Sequence, residues 1–373
     1  MEQLMISAET IQAEKLGDDL VRLIGFASEK IMSIERVNDR QLSICLEDGT
    51  DAEEVLSQID RMLKHRQSSS EEKVIFQIGS SEGRPFHRDI PETLMKNYND
   101  GLIALRGEAI ELLEYLDKRF KQIALEMSAI ETQYPTLLPL GAMRRTGYLR
   151  TSPQYSMFVS HPTENVDDLM GLSKEAEEGR IKNAISEPHL VLSPAACFHC
   201  YMDLEHSQLE KPSIYTFRQK VFRHEGRMNW DSFGRLRDYH VREIVFFGDE
   251  QFVREHRSLA LEKVKQLAEE LKLIVRGSVT CDPFVVPSMQ KFKKIQLEEE
   301  SKIEFQLAYG ADQYLAGASF NLHGTAFTNP FEIAVKEIDQ PVTGCIGFGL
   351  ERWVLCFMAQ HGTDPGQWKE ILH

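Results

Sequence analysis

The sequence predicts an α+β chain: a mainly antiparallel sheet with flanking helices, preceded by a small α/β domain. Three observations predict it. Runs of β-branched and aromatic residues dominate the chain beyond residue 150, which is strand composition. Only a few long stretches carry apolar residues at helical spacing, and they do not alternate with the strands as a βαβ series would. The length of 373 residues exceeds what a single hydrophobic core usually serves, so one large and one smaller domain are expected.

From Ala13 to Ile31 the apolar residues Leu16, Leu20, Leu23, Ile24 and Ala27 recur at helical spacing. RQLSICLED alternates apolar and polar as a strand does, turns at Asp48-Gly49, and leads into a second helix, DAEEVLSQIDRMLKHRQ. SSSEE at 68–72 reads as loop, VIFQIG at 74–79 as strand, and EGRPFHRDIPE at 82–92 as an irregular connection. The boundary is placed near residue 100, giving a small domain over 1–100 and a catalytic one over 101–373. Ile103 to Ile130 is a long amphipathic helix, ending where proline enters at TQYPTLLP. YSMFVSH, HLVLSP, IYTFRQKVFRHEG, HVREIVFFGD, IEFQLAYG and FEIAVKEI read as strands, and residues 251–273 as a helix with a charged outer face. No internal repeat is visible.

Composition excludes several classes. No apolar run approaches the roughly 18 residues that a membrane helix needs, and MEQLMISAET is acidic where a secretory signal would be basic and then apolar. A cytoplasmic location and no membrane partner are expected. Six cysteines are too sparse for a disulfide framework in a chain this long, which leaves burial, metal binding or catalysis. A net charge of −15 disfavours broad contact with a nucleic-acid backbone.

The chemistry concentrates in a few segments. In VFRHEG, Arg223 and Glu225 lie two apart on a predicted strand and so share a face. A guanidinium can hold a phosphate there and a carboxylate a purine amino group, although Arg-x-Glu alone is more often a surface ion pair. A turn-like loop follows, and the returning strand carries Tyr239 and Glu243. FRHE with Arg235 and Tyr239 resembles motif 2 of the class II aminoacyl-tRNA synthetases, GFGLER resembles motif 3, and TQYPTLLP, with Pro135, is similar to motif 1. The three occur in the family's order. YPTLLPLGAMRRTGYLRTSPQYSMFVSH, LSPAACFHCY, REIVFFGD, SFNLHGTAF and GCIGFGLERW further resemble the amino acid:[carrier protein] ligases, which are similar to the catalytic domain of methanogen-type seryl-tRNA synthetases. The resemblance runs from about residue 105 to the C-terminus and implies a class II synthetase-like antiparallel sheet.

It also implies site residues. A zinc ion in that family is held by Cys, Glu and Cys, matching Cys197, Glu243 and Cys345 here. Two thiolates and a carboxylate leave a fourth zinc position open, as in catalytic or substrate-binding sites, and the resemblance implies that it takes the amino group of the substrate. Outside this context each cysteine would be a small buried hydrophobe and Glu243 a sheet-edge ion pair. Cys197-x-x-Cys200 invites a structural-zinc reading, but a second such pair is missing. Cys345 is expected on a glycine-rich turn. By the same carry-over Arg223 bridges the amino acid carboxylate and the α-phosphate, Glu225 meets the adenine amino group, and Arg352 binds the γ-phosphate of a bent ATP. Tyr239 takes the place of an aromatic that stacks on adenine, Arg235 belongs to the ATP site, and Asn321 neighbours Mg2+ or substrate. LAGASFN lacks the acidic residue that standard seryl enzymes carry before the corresponding serines. His199, His224 and His323 are expected to bond locally rather than ligate.

The resemblance implies a homodimer that activates a small amino acid with ATP as an aminoacyl adenylate. The expected acceptor is the phosphopantetheine thiol of an acyl carrier protein, docked through a few cations among Arg144, Arg145, Lys174, Arg180 and Lys182. With LGDD, LEDGTDAEEV and SSSEE in its first hundred residues and only KHR at 64–66 as a basic stretch, the chain is expected not to take tRNA. The alternatives are a seryl-like enzyme charging tRNA and a non-catalytic regulator. Retention of Arg223, Glu225 and Arg352 speaks against the last.

Overall fold

A computed structural model gives the fold and describes residues 2–11, 16–63, 73–177, 185–226, 233–282, 284–290 and 292–372. Three strands open the chain: β1 (Glu2–Ser7), β2 (Ile31–Asn38) and β3 (Gln41–Leu46), paired antiparallel in the order β1-β3-β2. Helices α1 (Asp18–Ile24) and α2 (Ala52–Leu63) share one core with them through Leu20, Ile24, Ile31, Leu42, Ile44, Val55 and Ile59. The expected helix from Ala13 to Ile31 is therefore far shorter. Gly17 and Gly25 flank it, and Ile31 is spent on opening β2. KHR and SSSEE lie outside the described residues.

The segment 73–100, expected to belong to the first domain, packs with the second. Its strand β4 (Lys73–Ile78) is the edge of an eight-stranded sheet. The other strands are β5 (Ile130–Glu131), β6 (Ser213–Phe222), β7 (Asp238–Gly248), β8 (Val275–Val279), β9 (Lys302–Gly310), β10 (Gln313–Gly324) and β11 (Val342–Gly349). They run in the order β4-β8-β9-β10-β11-β7-β6-β5. Every pairing is antiparallel except β5 with β6. The connection from β4 to β8 spans most of the chain, which periodicity within a short window cannot register.

Helices α3 (Glu108–Glu126), α5 (Glu250–Glu270) and α6 (Leu350–His361) cover one face of this sheet; the short helix α4 (Cys197–Asp203) lies on the other. The expected long helix loses both ends: Gly107 takes φ 50° before its first turn and Ser128 takes φ 63° after its last. Strand alternation sorts the side chains between the two faces. Ile244, Phe246, Ala318, Phe320, Ile346 and Phe348 join the helix-side core, where Phe120 stacks on Phe348 at 4.2 Å. Tyr239, Val241, Val245, Phe247 and Cys345 join the opposite cluster with Phe198 and Tyr201. A buried bidentate pair clamps α3 to the sheet: Arg242 Nε and Nη2 donate to the two carboxylate oxygens of Asp117 at 2.7 and 2.8 Å.

Two strand expectations change. FEIAVKEI keeps only Ala334–Val335, because Thr328–Phe331 closes a helical turn and Glu332 follows at φ 52°. The strand carrying VFRHEG ends at Phe222; His224 N–H donates to Tyr155 O and Gly226 turns at φ 84°. No helix among the described residues is long and apolar enough to cross a membrane.

Candidate active site

The face opposite the long helices carries an open cleft of about 830 Å³. Seven of the nine residues singled out from the sequence line it: Cys197, Arg223, Tyr239, Glu243, Asn321, Cys345 and Arg352. Glu225 and Arg235 do not; they pair with each other instead, Arg235 Nη1 donating to Glu225 Oε2 at 2.7 Å.

Cys345 sits on a central strand, not on a turn. Along TGCIGFG, Ile346 and Phe348 point to the helices while Thr343, Cys345, Gly347 and Gly349 line the cleft. The glycines are there for close approach rather than for turning. A Cβ on Gly347 would stand 2.8 Å from Glu243 Oε2, and one on Gly344 would meet Val253 at 2.7 Å and the Asn321 carbonyl at 2.8 Å. Register places Glu243 opposite Gly347 and Cys345 opposite Val245, so Glu243 and Cys345 are diagonal neighbours on one face. Cys197, at the start of α4, completes the set from outside the sheet. Donor atoms of the three residues lie within 4.8 Å of one another, and all three side chains are buried. Cys200, one turn on, is wholly buried and outside that group.

Burial and the adjacent Cys345 push the Glu243 carboxyl well above the usual carboxylate range. Hydrogen bonding to Cys197, with burial, does the same to the Cys345 thiol. Burial and mutual proximity favour the protonated forms of these acids, with the Arg223 guanidinium opposing at Glu243; a divalent cation would supply the charge that turns them into ligands. The donor set fits zinc with one coordination position left over.

Around the trio the fold arranges further polar groups. Arg223 Nε donates to Pro194 O at 2.9 Å, which fixes its guanidinium in the cleft. Arg352 donates from Nε to Gly234 O at 3.1 Å and from Nη1 to Ala316 O at 3.2 Å, and lies over the Tyr239 ring at 4.9 Å. The tyrosine thus already has a cation on one face. Burial lowers His323 to about 4, and it bonds locally, to Tyr201 and Thr343. Sequence reasoning missed Lys302 and Asp282, which also line the cleft and pair at 2.8 Å. The period-2 pattern of KIEFQ, with Lys302 and Glu304 flanking core Ile303, was the available signal. Of the expected docking cations, Arg145 is held by Glu205 at 2.7 Å and lies over Phe331, whereas Arg180 and Lys182 fall outside the described residues.

Solved structures share this fold. M. kandleri SerRS in complex with A. aeolicus tRNASec superposes with a TM-score of 0.70 at 21% identity, over 98% of this chain and 75% of that one. The cytoplasmic serine-tRNA ligase of Naegleria fowleri, in complex with AMP, gives 0.60 at 10% identity over 83% and 67%. The fold is that of the class II aminoacyl-tRNA synthetases. Curated relatives of this synthetase-fold chain are type-2 serine-tRNA ligases. That of Methanococcus aeolicus is 31% identical over 257 residues, 65% of this chain and 49% of the relative. That of Methanocaldococcus jannaschii is 29% identical over 267 residues, 68% and 51%. The chain spans about half the length of the curated relatives it matches. No family model matches it. These relatives overturn the expected acceptor and the expected exclusion of tRNA, because they are named for joining serine to tRNA and not for loading a carrier protein. The physical error lay in weighing net charge: −15 is a sum over the whole chain, whereas recognition of a phosphate backbone depends on where the local cations lie.

Proposed function

We propose that this chain activates serine with ATP as seryl adenylate, on a site holding zinc at Cys197, Glu243 and Cys345, and passes the seryl group to tRNA. The observation that carries the reading is the convergence of that ligand trio with Arg223 and Arg352 in one cleft. Zinc, when bound, supplies a Lewis-acid position for a neutral amino group.

The chain's own residues do the rest. The serine carboxylate attacks the α-phosphorus of ATP, and the bond to pyrophosphate breaks. Arg223, anchored at the Pro194 carbonyl, spans the carboxylate and the α-phosphate and neutralises the charge that gathers there. Arg352, tied to two backbone carbonyls before any phosphate arrives, holds the γ-phosphate with Mg2+ at the polyphosphate. Tyr239 walls the nucleotide, and the Glu225–Arg235 pair lies outside the cleft lining. Asn321 lies beside the amino acid. The second step moves the acyl group from the adenylate to a ribose hydroxyl of tRNA, with AMP leaving.

Amino-acid-dependent ATP/pyrophosphate exchange, run over all twenty amino acids and followed by charging of total tRNA, tests this directly. Exchange that responds to serine, with seryl-tRNA formed, is the expected result; no exchange with any amino acid refutes it.

A further inference from the structure

Two side-chain nitrogens from one strand converge on the sulfur of Cys345. Asn321 Nδ2 stands 3.6 Å from Sγ and His323 Nε2 3.8 Å, both within hydrogen-bonding reach of sulfur. Each donor is aimed by something behind it. Ser319 Oγ donates to Asn321 Oδ1 at 2.9 Å, and the Ser319 carbonyl, which can only accept, receives Nδ2 at 3.4 Å, so the nitrogen end of the amide is the one on the sulfur side. The His323 ring meets two hydroxyls at its other nitrogen, Tyr201 at 3.2 Å and Thr343 at 3.4 Å from Nδ1. Nδ1 has one lone pair and can accept from one of these hydroxyls; in that tautomer the ring proton is on Nε2, facing Cys345. The backbone is shaped for this. Pairing of β10 with β11 steps from Leu322↔Gly344 to Gly324↔Thr343, leaving His323 as the extra residue of a bulge. Asn321 and His323 lie two apart and so share the cleft face with Ser319, and the bulge breaks the regular pairing opposite Thr343 at His323.

We propose that Asn321 and His323 are positioning residues that act through Cys345: their N–H groups stabilise its thiolate and fix the direction from which it ligates the metal. The proposal rests on the zinc reading above and deepens it. An N–H group directed at a thiolate withdraws charge from sulfur and holds the anion in a buried place that would otherwise disfavour it. Outer-shell partners of this kind are worth about 10–100-fold in metal affinity. Tyr201 and Thr343 then form a further layer that sets the imidazole tautomer.

The full chain loaded with Co2+ in place of zinc gives a readout independent of activity. The thiolate-to-cobalt charge-transfer band should move to lower energy in His323→Phe and in Asn321→Leu, because a sulfur relieved of an N–H donor gives up its electrons more readily. Competition with a chelator should show zinc held about tenfold more weakly. His323→Gln, which keeps an N–H group, should return the band most of the way. Tyr201→Phe, a gentler change that loosens only the tautomer, should shift it in the same direction by less, and serves if the phenylalanine variant does not fold. A band that stays in place in Asn321→Leu and Tyr201→Phe while cobalt is bound would overturn the positioning role and leave the metal site standing. A wild-type chain that takes up no cobalt would overturn both.

Discussion

Replacing Gly347 by alanine should separate the chemistry of the cleft from the stability of the fold. The new Cβ would stand 2.8 Å from Glu243 Oε2 and 3.3 Å from Val241 Cγ1, against the 3.4 Å at which ordinary contact begins. The carboxylate oxygen is the end of a side chain and can yield, so the clash is relieved by moving it roughly 0.6 Å, the difference between 3.4 and 2.8 Å. Overpacking of this size costs about 1–3 kcal/mol, partly offset by roughly 0.5–1 kcal/mol from removing a strand glycine, so the protein should remain folded. A metal–oxygen bond tolerates only about 0.2 Å, a third of that displacement. Zinc measured by elemental analysis after dialysis should fall well below one per chain, and serine-dependent ATP/pyrophosphate exchange should drop about 10–100-fold, with a circular dichroism melt close to wild type. Full zinc and full exchange in the alanine variant would refute the claim that the glycine is there to admit the carboxylate.

Cys197→Ser or Cys345→Ser should empty the zinc site and abolish exchange, since a neutral hydroxyl is a far poorer ligand than a thiolate, while Cys200→Ser should keep its metal; elemental analysis of the three decides it. Arg352→Lys keeps the charge and loses the planar fork that grips the Gly234 and Ala316 carbonyls, so exchange should fall about a hundredfold with zinc content unchanged. Asp117→Ala leaves the buried Arg242 guanidinium without its bidentate partner, and urea denaturation should show a loss of roughly 3–5 kcal/mol.

What the sequence disclosed depended on the range of the signal. The large sheet and long helices announced themselves through local periodicity, and the Cys197, Glu243 and Cys345 trio, which the fold brings together, through the family resemblance. Local glycine content misled at Cys345, because GCIGFG has the composition of a turn while its glycines make room for Glu243, Val253 and a neighbouring backbone, which only the paired strands reveal. The same limit hid β4: nothing near Lys73 tells that its hydrogen-bond partners lie around Val275. Glu225 and Arg235 were both singled out from the sequence, but not as partners of each other. The acceptor was misjudged because a charge total and the acidic segments of the first hundred residues do not say where cations gather on the folded surface.

The scatter of the three ligands along the chain has a consequence for assembly. Cys197 comes from a helix on the outer layer, Glu243 and Cys345 from two adjoining strands, so no fragment emerging early from synthesis contains a site that could capture zinc. The pocket exists only after the last strand has entered the sheet, and distant contacts of this kind form slowly. On the proposed zinc reading, loading is then a late event that reports a finished molecule: a chain arrested before that strand docks holds no complete ligand set.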